Sequence, residues 1–319
     1  MKTPSRLLLV GPLPPDLARQ LEACFDCVPL WTQPDRQAFL QAHAGQFAGG
    51  VTMSRHGADA QVLACLKGTV LSCFGVGFDG IDMAAARQQQ VAVSHTPDVL
   101  TDCVADLGFA LLLATARQLV AADRFVQRGD WLRSSYPLAT RVSGKRLGVV
   151  GLGRIGQAMA KRAQGFDMPV RYHARRPRPL ATQTFEPDLL ALAQWCDFLV
   201  LCCVGGVSTQ HLVNSQVLQA LGPTGILINI SRGSVVDEAA LAHALSAGHI
   251  AGAGLDVLQN EPAVPDALRH NERVLVTPHI AASTRETRHA MEQLVVDNLM
   301  SFLRSGAVLT PVPFSGLAA

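Results

Sequence analysis

The chain has 319 residues, with 27 basic and 25 acidic side chains and a formal net charge of +2. That length exceeds one ordinary hydrophobic core and predicts two domains, while the near-neutral balance gives no electrostatic reason to expect nucleic acid or an anionic membrane as partner. The apolar run after Arg6 stops at Gly11 and Pro12, short of a secretory leader, and the longest apolar run, Leu107 to Ala116, ends at Arg117, short of a bilayer span, so a cytoplasmic location is expected.

Strand-like runs recur along the chain, at Arg6 to Gly11, Gly49 to Met53, Thr69 to Gly75, Val91 to Ser94, Arg146 to Val150, Pro169 to His173, Phe198 to Val204, Gly225 to Ile230, Ala251 to Val257 and Arg273 to Val276. Most are continuous Val/Leu/Ile runs rather than alternating ones, the texture of strands buried on both faces of a parallel sheet. Segments of helical spacing lie between them, for example Asp16 to Leu21 and Leu241 to Leu245, so the fold class is α/β. A helical pattern that begins at Asp98 or Thr101, after Pro97, and runs towards Arg128 predicts a link between two domains. A second boundary falls near Pro278, ahead of a helical segment from Thr284 to Arg304.

The eight cysteines, at positions 24, 27, 65, 73, 103, 196, 202 and 203, show no zinc-ligand spacing, so no metal is expected and they read as reduced core thiols. Cys24 and Cys27 form a C-x-x-C, but it straddles a helix-to-strand passage with no other thioredoxin-like feature, and it reads the same way.

The strongest local signal is Lys145-Arg-Leu-Gly-Val-Val-Gly-Leu-Gly-Arg-Ile-Gly156, a strand running straight into a glycine loop and then a helix. Gly151 suits the tight turn, Gly153 the approach of a pyrophosphate to the backbone, and Gly156 the close packing of helix on strand. Arg154 and Ile155 complete the loop, and the helix N-terminus that follows offers N–H donors to phosphates. About 20 residues beyond such glycines an NAD enzyme presents a carboxylate to the adenosine ribose. Here the strand Pro169 to His173 is followed by Ala174, Arg175 and Arg176, and Asp167 precedes the strand, so it belongs at the other end of the sheet. Two guanidinium groups suit a 2′-phosphate, which predicts NADPH over NADH. The plainer alternative is a solvated basic loop with Arg178, and NAD then remains open.

Three motifs follow predicted strands: Ile228-Asn-Ile-Ser-Arg-Gly233, Gly254-Leu-Asp-Val-Leu-Gln-Asn-Glu-Pro262 and Val276-Thr-Pro-His-Ile-Ala281. An arginine, a glutamate and a histidine after successive strands offer a cation for a carboxylate and an acid–base pair for a carbonyl oxygen, which beside a bound hydride donor would suit reduction of a keto acid. Arg232 can pair with the carboxylate or polarise the carbonyl, His279 supplies the proton, and Glu261 orients His279. Singly, each has a plainer alternative: a surface ion pair, a helix-start carboxylate before Pro262, or a loop-capping imidazole.

With these motifs, and with Gly75-Val-Gly-Phe-Asp-Gly-Ile-Asp82 and Thr96-Pro-Asp-Val-Leu-Thr101, the chain resembles the D-isomer-specific 2-hydroxyacid dehydrogenases over nearly its whole length. It is especially similar to the branch of NADPH-dependent glyoxylate/hydroxypyruvate and hydroxyphenylpyruvate reductases. The resemblance implies two doubly wound parallel-sheet domains, a flavodoxin-like substrate domain of residues 1–98 and 285–319 and an inserted Rossmann domain of residues 99–284. It also implies a cleft that closes on substrate, a homodimer, and reduction of a small keto acid to the D-2-hydroxy acid. It carries Val76 and Gly77 over as the backbone segment for the substrate carboxylate, and Asp256 as a residue near the nicotinamide carboxamide. Ile230 is a further cofactor contact, and Ser54-Arg55-His56-Gly57 is a substrate-side loop whose Arg55 and His56 read equally as plain surface groups. Relatives carry a Pro-Leu-Thr-Pro-type loop where this chain reads Cys202-Cys-Val-Gly-Gly-Val-Ser-Thr209, which leaves the cofactor contacts of Val204 and Thr209 open.

Met53, Phe74, Leu100 and Trp131 border the substrate pocket or belong to the core. Two other functions fit the same residues: a reductase for a larger keto acid, hydroxyphenylpyruvate or 2-ketogluconate, and a non-catalytic NAD(P)-sensing protein of the same fold.

Overall fold

A computed structural model describes residues 5–179 and 181–313. The chain divides into two compact units, one made of Met1–Leu100 with Thr284–Ala319 and the other of Thr101–Ser283. The extremities of the expected substrate-domain segments, 1–4 and 314–319, lie outside the described residues.

The first unit opens with β1 (Arg6–Leu9), α1 (Pro15–Glu22), β2 (Asp26–Pro29), α2 (Arg36–Ala42), β3 (Gly49–Met53), α3 (Ala60–Cys65), β4 (Val70–Phe74), α4 (Met83–Gln88) and β5 (Ala92–Ser94). The strands form an all-parallel sheet in the order β2-β1-β3-β4-β5, the flavodoxin-like arrangement. Every position of β4 is buried, as its continuous apolar run predicts. Asp35, Asp59 and Asp82 each accept a backbone N–H in the first turn of the following helix, which fixes where α2, α3 and α4 begin. Strand β2 completes the helix-to-strand passage at Cys24 and Cys27, but it shows no apolar run of its own because it is a short edge strand, Asp-Cys-Val-Pro, with no fully buried position.

The second unit holds α5 (Thr101–Ala116), α6 (Leu119–Gln127), β6 (Leu147–Val150), α7 (Arg154–Gln164), β7 (Val170–His173), β8 (Thr184–Phe185), α8 (Leu189–Trp195), β9 (Phe198–Leu201), α9 (Ser215–Leu221), β10 (Ile226–Asn229), α10 (Glu238–Ser246), β11 (Gly252–Leu255), α11 (Asp266–Arg269) and β12 (Val274–Val276). Its seven-stranded parallel sheet runs β8-β7-β6-β9-β10-β11-β12, so strand order reverses between β6 and β9, the point at which such sheets bind ligands. The unpredicted β8 is a two-residue edge strand.

The single helix expected up to Arg128 breaks in two. Gln118 takes a left-handed φ of 51°, and α5 and α6 meet at a 56° bend. The two halves have different surroundings: α5 packs on α7, β10 and β11, whereas no residue of α6 is buried. Among the described residues no single helix is long and apolar enough to cross a membrane.

The last helix, α12 (Arg285–Ser305), returns to the first unit, capped by Thr284 and packed on β4 and α1. The eight cysteines, all among the described residues, form no disulfide, but they are not uniformly core, since Cys24 is exposed. Burial first, then the charges of Glu22 and Asp26 and the Cys24 thiol, push the Cys27 thiol up to about 11, which argues against a redox pair.

Candidate active site

The β6–α7 loop is shaped around its three glycines. Gly151 has a φ of 94°, and a Cβ there would fall 2.7 Å from the Cys203 backbone. A Cβ on Gly156 would fall 2.2 Å from the carbonyl oxygen of Gly151, so helix and loop touch. Around Gly153, by contrast, a Cβ would meet nothing within 4 Å. Gly153 is also the N-cap of α7 and supplies no side-chain cap, with exposed Arg154 and half-buried Ile155 next in line. Two glycines are thus packed against protein while the third leaves open space at a helix N-terminus, which fits a dinucleotide pyrophosphate.

After β7, Ala174 is half-buried and Arg175 and Arg176 are exposed. One carboxylate that the motif spacing does not reveal, Glu186, stands beside β7, where its amide donates to Tyr172 and its carboxylate lies 3.8 Å from Arg171. After β9, burial pushes the Cys202 thiol far up, and burial outweighing a hydrogen bond from Ser231 raises Cys203 to about 11. The loop beyond is closed on itself: the Thr209 hydroxyl donates to the carbonyls of Val204, at 2.8 Å, and Gly206, at 3.1 Å. Val204 is exposed, whereas Ile230 is buried and its amide donates to Leu201.

The three motif loops leave β10, β11 and β12 at one end of this sheet. Buried Asn229 folds the first: its Oδ1 accepts from Ser231 N and Oγ, both at 3.0 Å, and its Nδ2 donates to the Arg232 carbonyl at 2.9 Å. Arg232 is half-buried and donates to the Ser231 carbonyl at 2.8 Å. Glu261 and His279 meet directly, with Oε2 2.8 Å from Nδ1, while Oε1 of the same carboxylate accepts Leu258 N at 3.0 Å. Burial raises the Glu261 carboxyl, but the hydrogen bond and charge of His279, the Leu258 amide and the Arg232 charge outweigh it and hold the group below its ordinary value.

Asp256 is buried, and its carboxylate accepts from Thr277 Oγ1 at 2.7 Å, Ile280 N at 2.8 Å and Ala281 N at 2.9 Å. Burial nonetheless leaves its carboxyl raised. The Asp256 carbonyl accepts His279 N at 2.9 Å, and within this turn His279 has a left-handed φ of 54°.

In the first unit, Ser54 Oγ donates to the Gly77 carbonyl at 2.6 Å, and His95 Nδ1 lies 2.9 Å from the Val76 carbonyl. Gly75, with φ of 135°, leaves room for Ser54, whose Oγ would lie 2.0 Å from a Cβ there. Arg55 and His56 are exposed and bonded to each other at 3.3 Å; burial and then the Arg55 charge lower the His56 pKa. Of the four residues expected to border the pocket or join the core, Phe74 and Leu100 are core, Met53 is half-buried and Trp131 is exposed.

The family profile described as D-isomer specific 2-hydroxyacid dehydrogenase, NAD binding domain, matches residues 109–281. The chain belongs to that family. This dehydrogenase is 41% identical over 307 residues to glyoxylate/hydroxypyruvate reductase A of Arabidopsis thaliana, covering 96% of this chain and 98% of that protein. It is 42% identical, with the same coverage, to hydroxyphenylpyruvate reductase of Plectranthus scutellarioides. Among solved structures it resembles the NADPH-dependent glyoxylate/hydroxypyruvate reductase of Sinorhizobium meliloti in complex with NADP and malonate, with a TM-score of 0.88, 39% identity and 97% of each chain covered. The dehydrogenase is an oxidoreductase that takes a nicotinamide dinucleotide.

The residues that sequence reasoning missed in this dehydrogenase are those that hold others. Asn229 is visible inside its motif, yet only the structure reveals that both ends of its amide shape the Arg232 turn. Thr277 and the holding role of Asp256 depend on pairing between strands and carry no local signal.

Proposed function

We propose that the dehydrogenase reduces a small 2-keto acid of the glyoxylate/hydroxypyruvate type to the D-2-hydroxy acid, with NADPH preferred over NADH. The bound nicotinamide supplies the hydride. Arg232 pairs with the substrate carboxylate or polarises the carbonyl. His279 gives its proton to the carbonyl oxygen as it becomes an alkoxide, acting through Nε2 because Glu261 holds Nδ1 at 2.8 Å. Glu261 thereby fixes the ring and its charge offsets that of the imidazolium. That bond, at the same sheet end as the open Gly153 loop, is the observation that carries the reading.

Gly151, Gly153, Arg154, Ile155 and Gly156 are proposed to hold the pyrophosphate, with Val204, Thr209, Ile230 and Asp256 as further cofactor contacts. Arg175 and Arg176 are proposed to bind the 2′-phosphate, supported by their exposure and by the relative solved with NADP. On the substrate side the proposed residues are Ser54, Arg55, Val76 and Gly77. With the carbonyls of Val76 and Gly77 engaged by His95 and Ser54, the amides of this turn are what it offers a carboxylate. The first unit is thus proposed as the substrate domain and the second as the cofactor domain. A homodimer in the cytoplasm is also proposed. The dimer is supported by exposed apolar side chains in and after α6, including Trp131, 69% exposed, and Leu132, 92% exposed.

The relative named for hydroxyphenylpyruvate supports a second reading, an aromatic keto acid as substrate. Both are tested by following NADPH oxidation with glyoxylate, hydroxypyruvate, hydroxyphenylpyruvate and 2-ketogluconate, then repeating with NADH. Turnover of glyoxylate and hydroxypyruvate is expected. Tight cofactor binding with no turnover of any of the four would make the protein a cofactor sensor instead.

A further inference from the structure

The turn that carries Glu261, between β11 and Pro262, has no regular secondary structure of its own, so something outside it must fix its shape. Two contacts do. Gly233, next to Arg232, lies so close to the turn that a Cβ on it would fall 1.9 Å from the carbonyl carbon of Leu258. Glu238, the first residue of α10, accepts the Gln259 amide on Oε1 at 2.5 Å. Successive amides of the turn, Leu258 and Gln259, are therefore taken by two different carboxylates, Glu261 from within and Glu238 from outside. The Gln259 side chain is also engaged, with Nε2 3.2 Å from His211 Nε2.

A glutamate in the first turn of a helix ordinarily faces water. Glu238 is only 9% exposed, and α10 does not need it as a cap, because Asp237 already accepts the Ala240 amide. Its burial is accounted for by what it holds.

We infer that Glu238 is a positioning residue, whose buried carboxylate fixes the Leu258–Glu261 turn and so sets the bond between Glu261 and His279. This rests on the reading of that pair as the acid–base machinery. Glu238 is not assigned to the reacting atoms; it acts through the Gln259 amide. Without it that amide loses its acceptor, the turn relaxes, and Glu261 moves off His279. The groups that set the titration of Glu261 are His279, Arg232 and the Leu258 amide, while Glu238 neighbours Asp237 on α10 and His211 across Gln259.

The test compares Glu238→Ala and Glu238→Gln with the wild-type enzyme, using glyoxylate and NADPH. Glu238→Ala should lower kcat about ten-fold, the scale of a small misplacement at a reacting group, with the NADPH Kd unchanged. The acid limb of kcat/KM should also move to higher pH, because Glu261 loses the bond that holds its carboxyl down. Glu238→Gln keeps an oxygen acceptor for Gln259 and should recover most of kcat and the wild-type limb. A wild-type kcat and limb in Glu238→Ala overturn the inference. So does a lower Tm or weaker NADPH binding with the limb unmoved, which marks a merely structural role. NMR of the His279 ring in the cofactor-free protein reads the pair without turnover. If the wild type reduces none of the four keto acids, the functional reading fails by itself, and ring signals altered in Glu238→Ala still support the positioning role while unaltered ones overturn it.

Discussion

His279 Nδ1 and Glu261 Oε2 stand 2.8 Å apart on loops that leave the neighbouring parallel strands β12 and β11. The carboxylate is held below its ordinary value by this partner and by Arg232. It therefore binds fewer protons in the folded chain than in the unfolded one. Its contribution to stability is complete above the ordinary glutamate value and is lost as pH falls through the folded value. The same protonation breaks the pair, so the acid limb of kcat/KM should lie below the ordinary glutamate value. Glu261→Gln should abolish that limb and lower kcat by about a hundred-fold at neutral pH. A pH-rate profile that places the limb at or above the ordinary value sinks the assignment.

The glycines of the cofactor loop separate folding from binding. Gly156→Ala puts a Cβ 2.2 Å from the Gly151 carbonyl oxygen, within packed structure, and should lower Tm by several degrees at a cost of about 2 kcal/mol. Gly153→Ala meets nothing within 4 Å, so Tm should hold while NADPH Kd rises about ten-fold or more. Thermal melts and cofactor titrations on both variants check this, and a Gly153→Ala enzyme that binds NADPH normally would remove the pyrophosphate from that space.

Arg175 and Arg176 are exposed near the start of the loop after β7, and the Glu186 carboxylate beside that strand lies close to Arg171. Replacing both arginines with alanine should raise the NADPH KM at least about ten-fold, the scale of one or two charge-assisted hydrogen bonds, and leave the NADH KM nearly unchanged. Equal effects on the two cofactors would mark the arginines as a solvated loop.

Helix α6 buries none of its residues within the chain, yet Leu119, Val120 and Val126 on it are apolar and exposed, as are Trp131, Leu132 and Leu138 beyond it. Covered by a second copy, this surface leaves water. Val126→Asp with Leu132→Arg should then convert a dimer to monomers in sedimentation velocity. A wild-type protein that sediments as a monomer, or a variant that stays dimeric, refutes this interface.

Legibility followed how local each signal was. Strands β6, β9 and β10 are buried at every position, so continuous apolar runs reveal them without any knowledge of their neighbours. Edge strands β2 and β8 owe their existence to a single partner and have no such run. The break at Gln118 was hidden because nothing in the run from Ala116 to Val120 is a helix breaker; a left-handed residue was needed, and glutamine does not advertise one. At the site, Arg232, Glu261 and His279 stand in recognisable short motifs. The residues that hold them carry no such label: Asn229 folds the Arg232 turn from within the motif, while Asp256 reaches Ile280 across 24 positions and Glu238 reaches Gln259 across 21.

The left-handed backbone of His279 has a consequence for evolution in the test tube. A residue with a Cβ pays about 1 kcal/mol to sit at such a φ, whereas glycine adopts it freely. His279→Gly relieves that cost but also removes the bond to Glu261, so it should give a protein that reduces nothing and whose Tm reads the difference between the two effects. A screen for thermostability alone would weigh only that difference, and only a screen for turnover would hold the proton donor in place.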